Sequence, residues 1–152
     1  METRATLGNA LLLTVLAGVL ALPASANEPR PVALDDVLYG IGQVETGGRQ
    51  VGLHKDGVSY GVYGVTYMAV RELQRLRLLD DGEVNLASPA TNRKVAALYL
   101  SHLRDRYGTW EKAVEMYNPM AKDYAPRVWA IVHTRTRAVA AASPDGNGQS
   151  GR

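Results

Sequence analysis

The chain has 152 residues, with 17 lysines and arginines against 15 aspartates and glutamates, and no cysteine. That composition excludes a disulfide-stapled scaffold, a thiolate metal site and a cysteine-linked lipid anchor. The formal charge of +2 is dispersed among residues of both signs, which suits a soluble domain near an anionic surface rather than a nucleic-acid binder.

Residues 1–26 read as a signal peptide. Arg4 gives a weakly basic start, Leu7 to Leu22 form a mostly apolar run, and Ala24-Ser25-Ala26 supplies a small-x-small cleavage pattern. The alternative is an uncleaved anchor, but the run is slightly short for a membrane span. The expectation is export to the periplasm or the medium, a mature chain from about Asn27, and no stable membrane anchor after cleavage. Residues 27–137 are then one domain, and 138–152 a flexible tail whose composition from Ser143 onward is Ser, Pro, Gly, Asn and Gln.

Pro29 and Pro31 mark a linker. A first helix is predicted from Asp35 or Asp36 to Glu45, with acids at the positive end of its dipole. Leu34, Leu38, Ile41 and Glu45 recur at helical spacing, so the carboxylate shares the face meant for the core. Gly47 and Gly48 end the helix. An acid there is partly desolvated and faces the negative helix end, and both effects raise its pKa, as a general acid requires. The competing reading is an ion pair with an arginine, or an acid in a frayed last turn.

Gly47 to Gly64 is a glycine-rich loop, or a short hairpin around Asp56-Gly57. Further helices are predicted over Val65–Leu79 (inner face Val65, Ala69, Leu73, Leu76; Arg71, Glu72 and Arg75 solvated), from Ser88-Pro89 to Tyr107, and over Trp110–Tyr117 with Thr109 as N-cap. The third carries Val95, Leu98, Tyr99, His102 and Leu103 on one side. Pro119 breaks the fourth, and Asp123 and Pro126 introduce a last helix with Val128, Ile131 and Val132 inward. The fold class is all-α with one long glycine-rich excursion, and loops of that length are usually functional or disordered. His54, His102 and His133 lack metal-ligand spacing, so no metal or cofactor is expected. Gly40-Ile41-Gly42 begins like a dinucleotide fingerprint, but Glu45 holds the third glycine's position and no strand precedes it.

Glu45-Thr46-Gly47-Gly48, then Ser59-Tyr60-Gly61-Val62-Tyr63-Gly64-Val65, then Met116-Tyr117-Asn118 form an ordered set. It resembles the soluble lytic transglycosylase family, whose catalytic domain is related to goose-type lysozyme. Tyr99-Leu100, Leu103, Tyr107-Gly108, Trp110 and Ala113-Val114 extend the likeness over about residues 34–132. The resemblance implies a lysozyme-like domain that cleaves the MurNAc–GlcNAc bond of peptidoglycan with formation of a 1,6-anhydro product. Glu45 would be the single acid/base, and peptidoglycan strands the partner. Tyr117 would hold Glu45 by a hydrogen bond or by packing, and Asn118, Ser59, Tyr60, Gly61, Gly64 and Tyr67 would line the substrate site. Bland readings stay open for these: a core tyrosine at Tyr117, a helix end at Asn118, turn chemistry at Ser59, Gly61 and Gly64. Val65-Thr66-Tyr67 stands where the family has Leu-Met-Gln, and Pro119 follows Asn118. These departures suggest a divergent branch, and an envelope-spanning secretion or conjugation apparatus as a recruiting partner. Two rivals remain: a muramidase using Asp56, Asp80, Asp81 or Glu83 as second carboxylate, and an inactive wall-binding or assembly protein.

Overall fold

The first helix, α1 (Leu34–Thr46), starts where Asp36 turns back to accept the Ala33 N–H at 3.0 Å. In the computed structural model, which describes residues 30–142, this carboxylate is buried and doubly clamped. Arg30 donates two bonds to it (2.6 and 2.7 Å) and Arg135 a third at 3.3 Å. The Arg30 guanidinium, foremost, holds the Asp36 carboxyl below its usual range. At the other end Gly47 adopts φ +65°, and the N–H groups of Gly47 and Gly48 return to the carbonyls of Gln43 and Gly42 at 3.0 Å each.

The chain then forms a small antiparallel ribbon, β1 (Ser59–Tyr60) with β2 (Val65–Thr66), in the register Ser59 opposite Thr66 and Tyr60 opposite Val65. A bridge between Leu53 and Tyr60 adds a third rung around the Asp56-Gly57 turn. The loop expected after α1 is therefore folded twice over. The hairpin signal at Asp56-Gly57 marks only the outer fold, and the paired strands close around Gly61–Gly64.

Helix α2 (Tyr67–Arg75) is shorter at both ends than its sequence pattern suggested. Val65 and Thr66 are β-branched and pair in the ribbon, and the Thr66 hydroxyl caps the helix by accepting the Ala69 N–H at 3.3 Å. At the far end Arg77 takes φ +59°, and the N–H groups of Leu78 and Leu79 both fold back to Leu73 O. Val65, Ala69, Val70 and Leu73 are buried, whereas Leu76 is only half-buried. Glu72 is not on a solvated face: it is half-buried, 3.4 Å from His102 and 3.8 Å from Arg106.

Helices α3 (Pro89–Tyr107) and α4 (Trp110–Tyr117) start at the expected caps, Ser88 and Thr109, whose hydroxyls accept from Thr91 N and Lys112 N. Helix α5 (Tyr124–Ala142) packs chiefly on α1. Gly40 permits that approach, because a Cβ there would lie 2.8 Å from Val132 Cγ2 and 3.0 Å from Val128 O. Of the glycine pair in Gly40-Ile41-Gly42, Gly40 thus serves helix packing, whereas Gly42 lies against Val62 and Tyr63. The expected tail boundary at 138 falls too early: α5 continues through Ala138–Ala142, an alanine-rich and exposed stretch of high helix propensity. Ser143 onward, and the expected signal peptide with its cleavage site, lie outside the described residues. Among those described, no helix is long and apolar enough to cross a membrane.

One core joins all five helices: Leu38 and Ile41 from α1, Leu73 from α2, Val95 and Leu100 from α3, Val114 from α4, and Val128 and Val132 from α5. Leu86, from the α2–α3 connection, is fully buried with them. The chain contains no phenylalanine, and Tyr124 fills a core position at 3% exposure.

Candidate functional site

The α1 stripe and its glycine cap deliver Glu45 to the inner edge of the ribbon. Its carboxylate lies against Gly64, so closely that a Cβ on Gly64 would sit 2.6 Å from Oε2 and 2.7 Å from Cδ. Gly64 has φ +59°, a conformation that favours glycine in any case. Glu45 is half-buried and forms no salt bridge among the described residues. Burial is the main reason its pKa is raised, and the Asp56 charge adds to the effect. Tyr124, His54 and Arg127 oppose the shift without cancelling it.

Two aromatic side chains back the carboxylate. Tyr117 and Tyr124 stack in parallel with ring centroids 6.4 Å apart. Burial, reinforced by the Glu45 charge, pushes both phenols up, so both remain neutral donors. The Tyr124 hydroxyl is buried and faces Glu45 outside well-formed hydrogen-bond geometry, with no other partner among the described residues. Tyr117, expected to hold Glu45 by a hydrogen bond or by packing, donates its hydroxyl to Tyr63 O at 2.9 Å. That bond fixes the backbone next to Gly64.

Glu45 lies where two concavities meet. A groove of about 570 Å³ runs from it between the ribbon and α2 on one side and α3 and α4 on the other. A second pocket of about 450 Å³ opens on its other flank, between the end of α1 and the Leu53–Asp56 segment. Glu45 and Asp56 line both. Of the residues expected in the site, Ser59, Gly64, Tyr117 and Asn118 line the groove with Glu45. Three expected residues do not. Tyr60 and Tyr67 pack edge to face at 5.4 Å, and the Tyr67 hydroxyl donates to Val84 O at 3.1 Å. Gly61 turns toward Asn92, whose side chain a Cβ would overlap. Ser59 reaches the groove wall, but its hydroxyl already donates to Asp56 Oδ2 at 2.6 Å.

Asp56 is an ionised turn residue. It also accepts from the N–H groups of Val58 and Ser59 at 3.0 Å, and these bonds, led by the Ser59 hydroxyl, hold its carboxyl at about 2. The residue that orders the whole loop escaped sequence reasoning. Asn92, fully buried on α3, donates to Tyr60 O (2.8 Å) and Leu86 O (3.2 Å) and accepts from Tyr63 N (3.2 Å). Its signal was available: an amide three and four residues before Val95 and Ala96, on the face meant for the core. Replacing Asn92 by alanine should leave three backbone groups, all at least partly buried, without their partner and cost about 2–4 kcal/mol, read as a lowered urea midpoint. Tyr99, Leu103, Tyr107, Met116 and Met120 complete the groove, and Met68 and Met120 are widely exposed at its rim. Among the described residues no group of three His, Asp or Glu side chains could hold a metal ion.

No protein-family model, curated protein or solved structure matches this chain. The reading of the site therefore rests on its residues and their geometry.

Proposed function

We propose that the protein is a peptidoglycan lytic transglycosylase with a lysozyme-like catalytic domain, exported through residues 1–26 and acting in the periplasm or outside the cell. The observation that carries the reading is a desolvated carboxylate at the junction of two concavities, with no salt-bridge partner among the described residues. An acid that cleaves an internal glycosidic bond needs sugar on both of its sides. It also needs a proton near neutral pH, which desolvation secures. Glu45 would protonate the glycosidic oxygen as the C1–O bond breaks. As a carboxylate it would then take the proton from the C6 hydroxyl of the muramoyl residue while O6 bonds to C1. No water is consumed, so no second carboxylate is required; reactions of this kind stand outside the two-acid rule. Tyr117 and Gly64 would set where the carboxylate points, and Asn118 and Ser59 would face the glycan. An envelope-spanning secretion or conjugation apparatus as the recruiting partner is part of the proposal.

A hydrolase reading has one observation in its favour. Asp56 lines the same two concavities, and its environment pushes its pKa down while that of Glu45 goes up, the pattern of an acid and its partner. Its oxygens, however, already accept three protein donors. Mass analysis of digested sacculi separates the two readings: anhydro-ended muropeptides are expected, and reducing ends bearing an added water would assign the hydrolase. Wild-type protein that sediments with peptidoglycan but clears none of it would instead assign a binding or assembly role.

A further inference from the structure

The two concavities beside Glu45 differ in charge. In the larger groove the walls are mostly apolar and aromatic, and its cation, Arg106, lies 3.8 Å from Glu72. The smaller pocket holds Arg49 and Lys55, neither with an acidic partner among the described residues. Arg49 is anchored by its Nε–H, which donates to Thr46 O at 3.1 Å, and its terminal nitrogens make no hydrogen bond among the described residues. His54 contributes a wall, since its Nε2 is engaged with Gly61 O at 2.7 Å. Asp56 also borders the pocket, but its oxygens are turned onto Val58 N, Ser59 N and the Ser59 hydroxyl. Beside the cations Val51 and the half-exposed Leu53 give an apolar strip.

We propose that the Arg49–Lys55 pocket is a subsite for a carboxylate carried on a short apolar stem of the glycan, the chemistry of a lactyl ether or of the stem peptide that extends it. This rests on the glycan-cleaving reading of Glu45 and adds a direction to it. Only one flank of the acid attracts an anion, so a strand whose alternate sugars carry carboxylates is held in one register and one polarity. A planar guanidinium fork and an ammonium beside an apolar strip suit such a group better than they suit an uncharged sugar face.

The test uses the mature chain, wild type and Arg49→Ala/Lys55→Ala, on three probes. These are strands with intact stem peptides, strands stripped by an amidase so that free lactyl carboxylates remain, and chitooligosaccharides, which carry no carboxylate. The double variant should raise KM on carboxylate-bearing strands roughly fivefold or more relative to its change on chitooligosaccharides. That preference should shrink in high salt, and Arg49→Lys in place of alanine should restore part of it. A loss on stripped strands assigns the lactyl carboxylate, and a loss confined to peptide-bearing strands assigns the stem peptide. Equal KM changes on all three probes, or none in an active enzyme, would overturn the subsite and leave the glycan reading standing. Wild-type protein that cleaves none of the strands would overturn both.

Discussion

Replacing Glu45 by glutamine should reduce the release of anhydro-muropeptides by about 10²–10⁴-fold, the usual contribution of a general acid, while leaving the helical circular dichroism intact and the protein bound to sacculi. Glutamine keeps the shape of the side chain and fits against Gly64, but it has no proton of the required acidity. The wild-type rate should fall on the alkaline side as Glu45 loses its proton. Because burial raises its pKa, that limb should lie above the ordinary carboxylate range. The stability effect has the opposite sign to that of a paired acid. Glu45 binds its proton more tightly when folded, so stability declines as pH rises from the ordinary glutamate value through the raised one. The glutamine variant lacks this decline, and should melt at or above the wild-type temperature at neutral pH. The groups that act on Glu45 here are His54, Asp56, Tyr124 and Arg127, of which Asp56 stays ionised throughout the neutral range. Near-normal activity in this variant would end the assignment of the acid.

Much of this arrangement was legible in the chain because it is set by local chemistry. Thr109 and Ser88 announce their helices, and Gly47 ends α1 two residues after Glu45, so the acid and its place at a helix end follow from a dozen residues. What the sequence hid depends on contacts across the chain. Val65 continues the helical periodicity of α2, yet pairing with Tyr60 draws it into a strand. No glycine marks the end of that helix, because Arg77 takes the left-handed position itself. Asn92 meets Tyr60 and Tyr63 from about thirty residues away, and no short-range pattern encodes that distance. Tyr117 illustrates the same limit: its presence near the acid could be expected, but not that its hydroxyl holds Tyr63 instead. Tyr60 and Tyr67, expected in the substrate site by resemblance, pack edge to face on each other, and the Tyr67 hydroxyl donates to Val84 O.

Gly64 is the second position where a small change should have a large effect. Alanine there faces two obstacles that can be separated. Its φ of +59° lies in the left-handed region, which costs a residue with a Cβ about 1–2 kcal/mol. The new methyl would also fall 2.6 Å from Glu45 Oε2, so the carboxylate must shift away from the groove floor. Gly57 supplies the control, with φ +75° and nothing within 4 Å of an added methyl. Gly57→Ala should show the backbone cost alone, a slightly lowered urea midpoint with activity nearly retained. Gly64→Ala should match or exceed that stability loss, and in addition lose about 10²-fold in turnover under conditions where it is fully folded, since a displacement of about 1 Å is enough to misalign an acid with its bond. Gly61→Ala separates the loop from the acid: its methyl would overlap Asn92 rather than Glu45, so stability should suffer more than turnover per folded molecule. If Gly64→Ala turned over as fast as Gly57→Ala, the close approach of this glycine to the carboxylate would have no part in aiming it.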